Sequence, residues 1–430
     1  MPHASQVDAI IVGAGPAGST TALLLAGAGH HVVPLDRRRF PRAKPCGDCL
    51  SAQATLVLDR LGVLPPVEAE RPARLVGWRI ISPAGHACSS TFAACSGDAR
   101  TGSALSLRRD RLDFAILEGA RRAGAEVRTG VHVTDLLRNG DGRVTGVRGR
   151  DAHGAPLELR ARFVVGADGL RSIVARRLGL LGRPSRLRKV SLTAHLKRVR
   201  DVDAFGEMHL APRACAGLAP VSAPDDPDER ICNLTLVVRA EDHARAIARD
   251  PEAFYWTMLG RFPRLAGRLD DATFAEPTEN GEPRFLASGS FDQPTRDVVA
   301  HGAALVGDAA GYFDPLTGQG IHHALTGAEF LAEEADALLR AGDAAANRLR
   351  RYGRCLRWRM REAHALQRAI EFVTARPALA DLAIRRLGKA PATTAALIAA
   401  TADITPARSI VAPGVLFGLF FPLLPQEPTP

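Results

Sequence analysis

Residues 8–36 read DAIIVGAGPAGSTTALLLAGAGHHVVPLD, and their reading decides the fold. Residues 9–12 form a short apolar run of the buried-strand kind. Gly13, Gly15 and Gly18 follow at GxGxxG spacing, ahead of an alanine- and leucine-rich segment of helical length. A second apolar run then ends at Asp36. Each glycine has a mechanical task. Gly13 makes the tight turn, Gly15 lets the backbone approach a pyrophosphate, and Gly18 lets the helix lie close to the strand. Pro16 and Ala17 open that helix, whose N-terminus offers free N–H groups and a positive dipole end. A carboxylate at Asp36 can accept both hydroxyls of an adenosine ribose. A lone glycine triplet is weak evidence, but strand, glycines, helix, strand and acid in order predict a dinucleotide site. NAD and FAD both remain open at this point.

Two later stretches repeat the pattern of a strand ending in glycine and aspartate. Residues 162–172, RFVVGADGLRS, carry Asp168 and Gly169 after an apolar run. Residues 303–335, AALVGDAAGYFDPLTGQGIHHALTGAEFLAEEA, carry Gly307 and Asp308. The second of these turns through Pro315, Gly318, Gln319 and Gly320 into a long helix. An aspartate closing a strand can hold a sugar or ribityl hydroxyl. Free backbone N–H groups at Gly318–Gly320 suit the electron-rich edge of a reduced isoalloxazine.

Together GAGPAG, FPRAKPCGDCLS (residues 40–51), GADGLRS and GDAAGYFDPLTGQGI resemble the para-hydroxybenzoate-hydroxylase-fold flavoproteins, and within them the geranylgeranyl reductase-like branch. The resemblance implies an α/β fold: a discontinuous Rossmann-like FAD-binding domain over residues 1–75, 100–180 and 283–345. A substrate domain of mixed, largely antiparallel sheet would occupy 76–99 and 181–282, and a helical C-terminal region 346–430. It implies that Gly13, Gly15, Pro16, Ala17, Gly18, Asp36 and Arg37 hold the ADP half of FAD, with Val133 beside them. Arg109, within LRRDRLDFAIL, would reach the pyrophosphate or ribityl region, with Arg108 as its alternative. Asp168 and Gly169 would serve FAD and a transient NAD(P)H, and Gly307 and Asp308 the ribityl chain. Pro315, Gly318, Gln319, Gly320 and Ile321 would line the flavin ring.

Cys46 and Cys49, in KPCGDCLS, admit three readings. A redox pair wants the first cysteine at a helix N-terminus, and a zinc site wants about four ligands; neither condition is apparent. In the resembled branch a Cys-Gly pair packs on the isoalloxazine. Cys46 and Gly47 match it, which implies a cofactor-contacting loop with Cys46 at the reacting face. His322 and His323 open the helix after Gly320. His322 is the candidate proton handler, although histidines there are more often ordinary helix residues. No metal site is expected.

The formal net charge is +10, yet lysine appears only at Lys44, Lys189, Lys197 and Lys389. Dispersed arginine without interleaved aromatics excludes a nucleic-acid binder as the leading class. Seven scattered cysteines make no disulfide framework and, with no secretory-type leader at the N-terminus, point to the cytoplasm. An arginine-rich helical stretch from 348 and the apolar run at 410–424 suggest either a packed tail or a peripheral membrane contact.

Alternating runs such as SLTAHLKRV and RICNLTLVVRA suggest half-buried antiparallel strands roofing a substrate site. The expected chemistry is FAD-dependent oxidoreduction of a hydrophobic or aromatic small molecule. Reduction of a C=C bond leads; an O2-dependent hydroxylase and an electron-transfer flavoprotein serving a partner protein or quinone are the rivals. The aromatic-rich segment usual over the substrate in the resembled branch corresponds to CAGLAPVSA (residues 215–223), which has no aromatic.

Overall fold

The computed structural model describes residues 7–96, 102–183, 188–222, 230–275, 285–289, 291–341 and 349–411. Its first sheet orders Val299–Ala300, Ala303–Leu305, Pro156–Gly166, Val7–Val12, Val32–Asp36 and Arg128–Thr129. The strands that carry the three motifs run parallel. Such strands are covered on both faces, so they read as continuous apolar runs; Ile10, Ile11, Val164 and Val165 are all fully buried. The register aligns their ends. Val12 pairs with Leu35 on one side and Gly166 on the other, and Gly166 pairs with Leu305. Gly13, Asp36, Ala167 and Val306 therefore leave the same edge of the sheet together.

The helix Pro16–Gly27 packs between the helices Arg109–Arg122 and Gly320–Ala341. Being enclosed, it is apolar all round rather than amphipathic. Burying a side chain such as Leu25, which is wholly inaccessible, contributes about 1.5–3 kcal/mol.

An eight-stranded second sheet forms the roof, in the order Thr273–Phe274, Lys189–Lys197, Cys232–Arg239, Ala214–Pro220, Phe205–Ala211, Gly77–Ile81 and Ala87–Thr91, with Phe285–Gly289 added to Lys189–Lys197. Alternation assigns its faces. Leu192, Ala194, Leu196, Leu234 and Leu236 meet Phe254, Tyr255 and Leu259 of the helix Pro251–Leu259. Thr193, His195, Asn233 and Thr235 point the other way, toward the loop at Cys46. A small third sheet, Cys49–Leu50, Ala104–Ser106 and Ala73–Leu75, ties that loop to the strand just ahead of the helix Arg109–Arg122. Three helices, Arg350–Thr374, Pro377–Leu387 and Pro391–Thr401, build the C-terminal region. No helix of the described residues is long and apolar enough to cross a membrane. The apolar run beyond 411 lies outside the described residues.

Candidate functional site

The glycine turn is a cradle with no room for side chains. Gly13 sits at φ +101°, and a Cβ there would lie 2.4 Å from the Ala167 carbonyl oxygen; one on Gly18 would lie 1.8 Å from the Gly13 carbonyl oxygen. Only Gly15 leaves space in front of it, with the Arg42 guanidinium 3.6 Å from a built Cβ. No side chain caps the helix that starts there, so its first-turn N–H groups face the cradle unsatisfied. Asp36 accepts hydrogen bonds from Ala14 N (2.9 Å) and Arg38 N (2.8 Å). A carboxylate offers about four lone-pair sites, which leaves acceptors for a diol. Free amides for a diphosphate, a diol acceptor and a backbone surface without Cβ atoms together fit the ADP half of FAD.

Arg42 completes this end, and the motif reading passed over it. Buried, it lies 3.3 Å from Asp113 and 3.8 Å from Asp36, and it stacks 4.6 Å from the Phe40 ring centroid. Arg109 instead turns inward. Its Nε and a terminal nitrogen bond Asp113, four residues on, at 2.8 and 3.0 Å, and its guanidinium also meets Cys46. Arg37 is exposed, and Val133 is buried in the strand His132–Arg138. Asp168 accepts from Ser172 Oγ and Ile173 N, both at 2.6 Å. It thereby braces the start of the helix Ile173–Arg177, and burial pushes its carboxyl above the usual range despite those bonds.

The Cys46 loop is fixed to the roof by side chains. Asp48, at φ +59° and 1 % exposed, accepts from Arg109 N at 3.2 Å and Asn233 Nδ2 at 2.7 Å. His195 Nε2 lies 2.6 Å from the same carboxylate. Because an ionised carboxylate only accepts, Nε2 carries a proton. No described residue bonds His195 Nδ1, which leaves that nitrogen available. Asn233 Nδ2 also donates to the Cys46 carbonyl at 2.7 Å. Cys46 and Cys49 are both free thiols, and burial, with Asp48 and Cys46 adding to it, holds the Cys49 thiol well above its ordinary range. The Asp48–His195–Asn233 cluster escaped the sequence reading. Its members lie 147 and 185 residues apart, and the only local signal was alternation on the roof strands.

Opposite stands the loop 307–320. A Cβ on Gly307 (φ +61°) would lie 2.8 Å from Ala17 Cβ, which brings this loop to the head of the cradle helix. Asp308 is 3.8 Å from Lys44 Nζ. Burial and the charges of Arg109 and Arg42 lower the Lys44 ammonium's pKa, with Asp308 opposing. Gly318, at φ +70°, has open space around a built Cβ, while Ile321 packs inward with Leu50 and Leu325. Pro315 and Gly320 start the short 3-10 turn Pro315–Thr317 and the helix Gly320–Ala341. Gln319 and both histidines face the C-terminal region. Gln319 Nε2 donates to Asp403 at 2.6 Å, His323 Nε2 lies 3.3 Å from Asp403, and His322 Nδ1 lies 2.9 Å from its other oxygen, out of line for a hydrogen bond. Burial opposes protonation of His323, but Asp403 outweighs it and raises its pKa. These contacts set His322 in a bridge to the last helices, and it is His195 that meets the Cys46 loop.

Glycine cradle, ribose acid and flavin-side loop converging on one sheet edge define a Rossmann-type FAD-binding oxidoreductase. The FAD binding domain family matches residues 6–250, and the chain belongs to it. It is 27 % identical over 356 residues to digeranylgeranylglycerophospholipid reductase 1 of Methanothermobacter thermautotrophicus, covering 82 % of this chain and 83 % of that protein. It is 30 % identical over 338 residues to the menaquinone reductase of Mycolicibacterium smegmatis, covering 76 % of each. Against conditioned medium factor receptor 1 of Dictyostelium discoideum, 27 % identical, it spans 62 % of the longer protein. Among solved structures the myxobacterial chondrochloren halogenase, described as a variant of FAD-dependent halogenases, superposes with a TM-score of 0.77 at 23 % identity, covering 98 % of both chains. That likeness concerns the fold.

Proposed function

We propose that the chain reduces a carbon–carbon double bond in a hydrophobic small molecule, with NAD(P)H or an electron-donor protein reducing the flavin. The observation that carries this reading is the Asp48–His195 pair at the Cys46 loop. Bound FAD supplies a hydride; the neighbouring carbon then needs a proton. Asp48 holds the imidazole by Nε2, and Nδ1, when protonated, can deliver one. Asn233 holds the Cys46 carbonyl and so fixes the distance between loop and roof. The reductase names of the two relatives support the same direction.

The test is anaerobic. Dithionite-reduced protein is mixed with digeranylgeranylglycerophospholipid or menaquinone, and flavin reoxidation is followed together with product mass. Reoxidation with a hydrogen pair gained in the isoprenoid chain, still present after any quinol is reoxidised in air, supports the proposal; reduced flavin that persists with both substrates, or a quinone reduced only at its ring, defeats it.

One observation favours hydroxylation as the second reading. The strand Ala214–Pro220 presents Cys215, Gly217 and Ala219 where the branch usually has aromatics, and a Cβ built on Gly217 would meet only Met208 Cε, at 3.8 Å, and the Glu207 carbonyl oxygen, at 4.0 Å. Under air, oxygen incorporated into product would identify it. The arginine-rich helix Arg350–Thr374 leaves Trp358 51 % and Phe372 56 % exposed, which supports a peripheral contact with an anionic membrane surface.

A further inference from the structure

The helix Gly320–Ala341 opens with His322 and His323, and Asp403 follows the helix Pro391–Thr401. Neighbouring residues of a helix do not face each other, yet one carboxylate reaches both rings. It meets the near nitrogen of the first, Nδ1, and the far nitrogen of the second, Nε2. One ligand atom from each of the three side chains thus lies within 4.8 Å of the other two.

The cluster is poor as a hydrogen-bonded ion pair. His322 Nδ1 and Asp403 Oδ2 lie 2.9 Å apart, both buried, and neither has a hydrogen-bond partner. His323 Nε2 stands 3.3 Å from Oδ1, which instead accepts from Gln319 Nε2 at 2.6 Å. Buried polar atoms left unpaired cost free energy and call for an explanation. An ion held by two atoms sits off the line joining them, so an approach that wastes a hydrogen bond suits coordination. Ligand atoms around a tetrahedral zinc, bound at about 2.0–2.1 Å, lie about 3.3 Å from one another. The contacts at 2.9 and 3.3 Å are of that size.

Two imidazoles and a carboxylate suit zinc, whereas magnesium and calcium prefer oxygen throughout. Three protein ligands leave the fourth position open. The His323 side chain, 41 % exposed, gives access from solvent, while that of Asp403 is only 9 % exposed. Gln319 is buried behind them. Its Nε2 orients the carboxylate, and its Oε1, buried and unpartnered, can accept from a water on the ion.

We propose that His322 Nδ1, His323 Nε2 and the Asp403 carboxylate bind a zinc ion, with water as the fourth ligand. The ion staples the end of the flavin-side loop to the C-terminal helices. Sequence spacing predicts no metal here, because the third ligand comes from the far end of the chain. The site is independent of the reductase reading.

FAD-loaded protein, stripped with EDTA and dialysed, is titrated calorimetrically with zinc chloride. The zinc-loaded form is then followed by X-ray absorption and thermal unfolding. Zinc should bind one to one, with a first shell of nitrogen and oxygen that includes two imidazoles. It should raise Tm in the parent and leave that of H323A unmoved. Affinity should fall at least tenfold in H323A and in Asp403→Asn, and about tenfold in Gln319→Leu, which removes the support of the carboxylate. It should hold in C49S, which removes a thiol of the Cys46 loop, and in excess magnesium or calcium. H323A removes the most exposed of the three ligands, so it separates lost coordination from lost folding. No binding, a sulfur ligand, loss of affinity in C49S, displacement by calcium, or unchanged affinity in H323A would each overturn the site.

Discussion

The turn at Gly13–Gly18 and the loop at Cys46–Cys49 are built from different materials. In the turn, backbone meets backbone: carbonyl oxygens of Ala167 and Gly13 occupy the places where Cβ atoms would be. In the loop, side chains do the holding, as Asp48 gathers His195, Asn233 and an amide of Arg109. The turn resembles a mould, whose shape tolerates nothing added. The loop resembles a joint, whose parts come from distant segments and fail when one is removed. Additions should therefore injure the first and deletions the second.

The largest expected effect is Gly18→Val. With the Cβ position 1.8 Å from a carbonyl oxygen, strand and helix must separate, and the purified protein should come out colourless and take up no added FAD. Overpacking of this kind costs roughly 1–3 kcal/mol or more. Retention of flavin absorbance would break the comparison.

Asp48→Ala should leave three donors at a buried site without their acceptor. A loss of about 3 kcal/mol in urea unfolding is expected, with FAD still bound by the intact cradle. A variant as stable as the parent would show that the joint carries no load.

His195→Gln tests chemistry rather than assembly. Glutamine can still donate to Asp48, so stability and flavin content should hold while turnover of the reducible substrate falls about 100-fold. Turnover as fast as the parent's would place the proton donor elsewhere.

The smallest effect belongs to Asp36→Asn. Losing a charged acceptor at a ribose should weaken FAD by about 1–2 kcal/mol, read as a roughly five- to thirtyfold higher dissociation constant. Stability of the FAD-free chain should change less than in Asp48→Ala, because the carboxamide oxygen can still accept from one of the two amides that the carboxylate oxygens hold separately.

Acid sensitivity sharpens the roof side. Burial opposes ionisation of Glu207, but hydrogen bonds from His209 and Arg268 win and hold its pKa at about 2, below the ordinary 4.5. A depressed carboxylate contributes stability that is fully present above the unfolded pKa. That contribution should fade as pH falls from 4.5 toward 2, by roughly 3 kcal/mol. Glu207→Gln should flatten that part of the stability curve.

Much of the cofactor end was legible in the chain, because glycine φ values, helix N-termini and strand-closing acids act on their near neighbours. The three motif strands are apolar throughout, and their parallel register followed. Roles that depend on where a side chain turns were not legible. Arg109 is a plausible pyrophosphate ligand by position, and in space two of its nitrogens bond Asp113. Histidines 322 and 323 sit beside the flavin loop in sequence, yet they meet Asp403, about eighty residues away. Arg42 and Lys44 lay in a quoted motif without an assigned role until packing gave Arg42 two carboxylates and Lys44 one.

The sequence by itself determined that this protein would carry a glycine-lined strand edge and belong to an FAD-binding family, because backbone geometry is set within a few residues. Only the tertiary structure decided that His195, Asp48 and Asn233 would share a buried corner, and that His322 and His323 would meet Asp403. Pairing among charged side chains is a competition across the whole fold, and its winners are fixed by distances that no local spacing encodes.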